Sequence, residues 1–126
     1  MKQVFEKFEI EMRRGVMQLA VVCLLDNEKY GYEIIKNLND NGLKVEEGTL
    51  YPLLRRLEGD ELLSSRWETG GPRPRKYYII TELGKEIRFN WLNTFKALID
   101  TIMQLETNIQ DKGALNNAQW SYQELH

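Results

Sequence analysis

"EGTLYPLLRRLE" (residues 47–58) is the stretch on which the fold turns. At ~100° per residue, Leu50, Leu53, Leu54 and Leu57 fall within an arc of ~100° and mark the core side of a helix. Tyr51, Pro52, Arg55 and Arg56 fall opposite, with Thr49 at the edge. A merely solvated face favours Lys, Glu and Gln, the strong helix formers that packing does not constrain. This face instead carries an aromatic hydroxyl and two guanidinium forks, groups that bond phosphate or base edges. A plainer reading competes: Tyr51 packs on its neighbours while Arg55 and Arg56 pair with Glu58 or Asp60. Proline is harmless only in a helix's first turn. Thr49 as N-cap would satisfy that rule for Pro52, whereas a start at Glu46 or Glu47 makes Pro52 interior and predicts a local bend.

Working outward, residues 5–25 read as a helix, amphipathic first and apolar nearly all round in its second half. Turn chemistry follows at 26–31. A short helix carrying Ile34, Ile35 and Leu38 then ends at Asn41-Gly42. After the quoted segment, residues 65–81 read as a hairpin around the loop "TGGPRP" (69–74). Arg73, Arg75 and Lys76 give its tip three cations with no intervening acid. Thr81 with Glu82 opens a long helix to about Ile109. Three helices and then a hairpin is the order of a winged helix-turn-helix, mostly α in an α+β arrangement, although many other small α+β proteins share that order. The expected organisation is a DNA-binding domain over 1–81, a helix over 82–110 and a polar tail over 111–126.

In the long helix Trp91, Phe95, Leu98, Ile102, Leu105 and Ile109 step by four, three, four, three and four, a heptad seam. Leu92, Ile99 and Met103 lay a second apolar stripe beside it. One stripe can pack on the chain's own domain; two call for a partner, and a homodimer is expected.

Composition narrows the classes further. The chain has 126 residues, 42% hydrophobic and 29% charged, with a net charge of -2, so any attraction for nucleic acid must be local. One cysteine, Cys23, and one histidine, His126, exclude an intrachain disulfide and a Cys/His metal site. They also leave no Cys–His or Ser–His arrangement, and there is no Gly-rich phosphate loop, so an enzyme is not expected and no cofactor is implied. The opening residues lack a signal peptide's apolar region, and the longest apolar run, 19–25, is too short to span a bilayer. A cytoplasmic protein without a membrane partner is expected.

Together, "YGYEIIKNL" (30–38), "EGTLYPLLRRLE", "DELLSS" (60–65) and "PRPRKYYIIT" (72–81) resemble the PadR family of bacterial transcriptional regulators. The likeness runs from about Arg13 to Leu105. It implies a homodimeric winged helix-turn-helix, usually a repressor, on a dyad-symmetric double-stranded operator. The DNA-reading helix falls on 47–58 and the wing on 65–81. Carried over, Lys36, Thr49, Tyr51, Arg55, Arg56, Arg73, Arg75 and Lys76 become the DNA candidates. Glu46 departs from the pattern, standing where the family commonly has a Ser or Asn cap. In multidrug-sensing relatives a pore at the dimer centre stacks flat aromatic compounds. Phe95 takes the place of the stacking tryptophan, with Trp91 one turn earlier and Met12, Gly15 and Leu19 completing the lining. The alternative to all of this is a winged-helix module that docks protein and not DNA.

Overall fold

The computed structural model of the protein describes residues 1–116. Its elements run α1 (Lys2–Leu24), β1 (Lys29–Tyr30), α2 (Gly31–Asp40), α3 (Glu47–Gly59), β2 (Leu63–Glu68), β3 (Arg75–Ile80) and α4 (Glu82–Asn116). The three strands form one antiparallel sheet in the order β1-β3-β2. The winged helix-turn-helix expected from the element order is present.

The core is built where the apolar periodicities converge. Leu50, Leu54 and Leu57 of α3 are buried, against Ile34 and Leu38 of α2 and Met17, Leu19, Val21 and Val22 of α1. Leu53, expected with them, is half-buried at the edge of that face. Leu63, Tyr78 and Ile80 close the core from the sheet.

Local chemistry fixes the element ends. Helix α2 stops at Gly42, whose φ of 86° is easy for glycine, while the Leu43 N–H returns to the Leu38 carbonyl at 2.8 Å. Asn39 then accepts a hydrogen bond from the Val45 N–H at 2.9 Å and holds the turn into α3. Helix α3 repeats the ending with a less suitable residue: Glu61 takes a φ of 67°, and the Leu62 N–H returns to the Leu57 carbonyl at 2.9 Å. At the start of α4, Thr81 Oγ1 accepts from the Gly84 N–H at 2.9 Å and donates to the Glu61 carbonyl at 2.7 Å. Gly84 has to be glycine, because a Cβ there would run into the Leu62 carbonyl and lie 2.6 Å from Ile80 Cγ1.

Several expectations need correction. Helix α1 begins at Lys2 and not at Phe5. The stretch 26–31, read as a turn, contains β1, which pairs Lys29 with Tyr78 and Tyr30 with Tyr77. Helix α3 begins at Glu47 after Glu46, whose side chain makes no capping hydrogen bond, so Pro52 is interior and cannot donate to the Gly48 carbonyl. Helix α4 continues past Ile109 to Asn116, into the stretch expected as a polar tail; residues 117–126, which include His126, lie outside the described residues.

Two compact units divide the chain. The first, Met1–Trp91, reaches beyond residue 81 because the first turns of α4 are tied to it. Arg88 Nη1 donates to Asp26 at 2.8 Å and to the Val22 carbonyl at 3.2 Å. The second unit, from Leu92 onward, is the remainder of α4 within the described residues. Along it Leu98, Ile102, Leu105 and Ile109 are each more than half exposed. In the first unit, the opening turns of α1 likewise leave Val4, Phe5, Phe8 and Met12 exposed.

Candidate nucleic-acid interface

An open groove of about 860 Å³ runs between α3 and the β2–β3 wing. Tyr51 and Arg55 line it from α3, and Trp67, Arg73, Arg75 and Lys76 from the wing. The α3 side follows from the helix period, because Tyr51 and Arg55 are four residues apart and share a face. The wing side follows from the sheet period, because Trp67 pairs with Lys76 across β2 and β3.

Tyr51 is half-buried and lies over Gly31, the first residue of α2. Burial, joined by the nearby Glu47 charge, raises its pKa, so the hydroxyl stays protonated and able to donate. Arg55 and Thr49 are exposed. Glu47 also lines the groove and sets an anion beside its cations. Arg56 stands elsewhere: its Nη2 donates to Gln18 Oε1 of α1 at 2.9 Å, and it is not among the residues lining this groove. Lys36 is exposed on α2 and pairs with Asp40 at 3.1 Å. With both side chains more than 60% exposed, that contact is weak and readily exchanged for a phosphate.

The wing is less uniformly cationic than its sequence indicates. Arg75 lies 4.6 Å from the centre of the Tyr30 ring, and Tyr30 meets Tyr77 edge-on at 5.5 Å. Lys76 pairs with Glu58 of α3 at 3.2 Å. Arg66, which sequence reasoning passed over, has Nε 2.8 Å from Glu28, bonds Glu68 at 3.1 Å and lies 4.9 Å from the Tyr77 ring centre. Hydrogen bonds from Arg66 push the Glu28 carboxyl below its ordinary range. For Glu68 the Gly70 N–H contributes most, with Arg66 second. Among the described residues Arg73 makes no ion pair.

Trp67 was also missed as a site residue. It is 61% exposed, unusual for so large an aromatic, and lies on the groove side of β2. Strand alternation from Ser65 could have placed it there. On the other flank of α3, Arg14 and Lys44 border a second groove together with Thr49.

The residues expected around an aromatic effector are dispersed in character. Met12 and Gly15 are exposed, Trp91 and Phe95 are half-buried, and Leu19 is buried in the core. Among the described residues no cluster of His, Cys, Asp or Glu is arranged to hold a metal ion, and no helix is long and apolar enough to cross a membrane. Cys23 is exposed; partial burial raises its pKa, so it is mostly thiol near neutral pH.

Comparison with known proteins agrees with this geometry. The model of the transcriptional regulator PadR-like family matches residues 21–88, which span all three strands and both helices bordering the turn at Gly42. A PadR family transcriptional regulator from Eggerthella lenta is similar, with a TM-score of 0.78 and 38% identity, covering 82% of this chain and 93% of that one. A PadR-like regulator from Bacillus cereus gives 0.68 and 31%, covering 75% and 95%. A transcriptional regulator of Mycobacterium tuberculosis is 37% identical over 76 residues, 60% of this chain and 71% of its own. These relatives are regulators and not enzymes. The chain belongs to the PadR-like family of transcriptional regulators.

Proposed function

We propose that the protein is a cytoplasmic homodimeric repressor that reads a dyad-symmetric DNA operator with α3 and its wing. The observation carrying this reading is the single groove that brings Tyr51 and Arg55 of α3 together with Arg73 and Arg75 of the wing. Thr49, Tyr51 and Arg55 take the base edges and nearby phosphates. Arg73 and Arg75, with Lys36, take the backbone, while Arg56 and Lys76 stand at the margin of this set because each has a partner inside the protein. A protein-docking face would carry more apolar surface and less clustered arginine.

The dimer is supported by the exposed seam Leu98, Ile102, Leu105 and Ile109 on α4, which continues from the half-buried Trp91 and Phe95. A regular apolar stripe of that length needs a partner in water. A two-fold dimer would set two copies of α3 about one DNA turn apart and demand an inverted repeat. Release by a small planar aromatic effector belongs to the same reading and rests on Trp91 and Phe95, two large rings one helical turn apart on α4. Of the other residues assigned to the same reading, Met12 and Gly15 are exposed and Leu19 is held by the core.

The test is retention of sheared genomic DNA on the pure protein at moderate salt. Enrichment of one inverted-repeat site supports a dimeric regulator. Retention without any preferred sequence overturns the reading and favours the protein-docking alternative.

A further inference from the structure

Glu58, in the last turn of α3, connects this helix to both strands of the wing. Its carboxylate accepts a hydrogen bond from Ser65 Oγ on β2 and pairs with Lys76 Nζ on β3 at 3.2 Å. Lys76 also lies 5.3 Å from the centre of the Tyr78 ring, and Tyr78 is the cross-strand partner of Ser65. The Glu58 and Lys76 side chains are each 30% exposed, half the exposure of the Lys36–Asp40 pair. Partial shielding makes such a pair firmer than an open surface one.

We propose that Glu58, Ser65 and Lys76 form a latch that fixes the wing against the C-terminal end of α3. Lys76 is then a positioning residue whose charge is committed inside the protein and not to a DNA phosphate. The inference rests on the DNA reading above, and it assigns the latch the task of setting Arg73 and Arg75 at a fixed reach from Tyr51 and Arg55. The electrostatics agree with the geometry. Burial works against the Lys76 charge, but Glu58 and Tyr78 outweigh it and its pKa rises. The Ser65 hydrogen bond, followed by Lys76, outweighs burial at Glu58 and lowers its pKa. The pair is therefore ionised throughout the neutral range.

The test uses Glu58→Gln, Lys76→Met, Lys76→Glu and the charge exchange Glu58→Lys/Lys76→Glu in the full chain. Binding is measured against salt on a duplex carrying the enriched genomic site and on an unrelated duplex. Glu58→Gln removes an anion near DNA, so charge alone would tighten binding; loss of the latch is instead expected to weaken specific binding about three- to tenfold. The charge exchange is expected to recover most of that loss, and Lys76→Met to leave the salt slope on the unrelated duplex unchanged. Three results overturn the latch: tighter binding by Glu58→Gln, a charge exchange worse than Lys76→Glu alone, or a slope reduced by about 0.9, the share of one phosphate contact. If the wild-type protein selects no site, the DNA reading fails by itself and amide hydrogen exchange decides the latch. Glu58→Gln should then speed exchange across residues 63–68 and 75–80 relative to α2, and unchanged protection there overturns the proposal.

Discussion

Gly31 offers a way to move Tyr51 without touching it. A methyl group built on Gly31 would collide with the Tyr51 hydroxyl and lie 2.6 and 2.7 Å from Cε1 and Cζ of its ring. Carbon atoms at such distances repel strongly, so in Gly31→Ala the ring must rotate out of its seat. Two effects on stability oppose each other. Alanine in a helix is favoured over glycine by up to about 1 kcal/mol, and overpacking costs about 1–3 kcal/mol. Gly31 opens the helix, where the propensity gain is smaller than in its interior, so the net expectation runs from no loss to about 3 kcal/mol, which the unfolding curve reads directly. The effect on function is larger in proportion, because Tyr51 lines the groove. Losing one well-placed base contact costs about 1–3 kcal/mol, or roughly 5- to 150-fold in Kd. Fluorescence anisotropy on a duplex with the enriched site, alongside urea unfolding, separates the two effects. On a Tyr51→Ala background the collision is gone, so Gly31→Ala should be neutral or stabilising and should cost no further affinity. Wild-type affinity in the single variant, or full additivity in the double, would refute the role given to Tyr51.

The other expectations are simpler. Leu54→Ala empties a fully buried position of α3 and should cost about 2–5 kcal/mol in urea unfolding. Glu61→Gly relieves a left-handed backbone at the end of α3 and should raise stability by about 0.5–1 kcal/mol; a fall would show that Glu61 is held there by something other than chain direction. Arg73→Ala should weaken binding to all duplexes alike and lower the salt slope by about 1, visible as a parallel loss on specific and unrelated DNA. Glu58 has a folded pKa below its ordinary value of 4.5, so the folded state binds fewer protons than the unfolded state in that window. Its contribution to stability is therefore full above about pH 4.5 and lost as pH falls through the folded value. Glu58→Gln should flatten that part of the stability–pH curve, and an unchanged curve would place the acid sensitivity elsewhere.

What was legible in the sequence was whatever has a short period. The leucines of α3 could be assigned to the core from the 3.6-residue repeat, and the opposite face from what remained. The α4 start could be read at Thr81 because a cap is a local motif. Features made by distant residues could not be read in this way. Arg56 meets Gln18 from 38 positions away, and the Glu58–Ser65–Lys76 cluster draws on a helix and two strands. Strand β1 has only two residues, too few to display alternation, and exists because Tyr77 and Tyr78 offer it a partner. The left-handed turn after α3 is taken by Glu61 and not by Gly59, and it returns the Leu62 N–H to the Leu57 carbonyl, a choice made by the loop's path and not by residue type. The α4 end was set too early because the apolar seam stops at Ile109, whereas helix propensity carries on through Gln110 and Lys112.

The central claim is that the outward face of α3 reads DNA, and the Tyr51→Ala/Arg55→Ala double variant tests it most directly. Its Kd for a duplex carrying the enriched inverted repeat should be measured beside the wild-type value at one salt concentration, with unfolding curves to confirm a folded protein. The expected result is a loss of at least about 2 kcal/mol in specific binding, roughly 30-fold, with far less change on unrelated DNA. Near-normal affinity for the site would contradict the assignment and move the reading surface to another face of the protein.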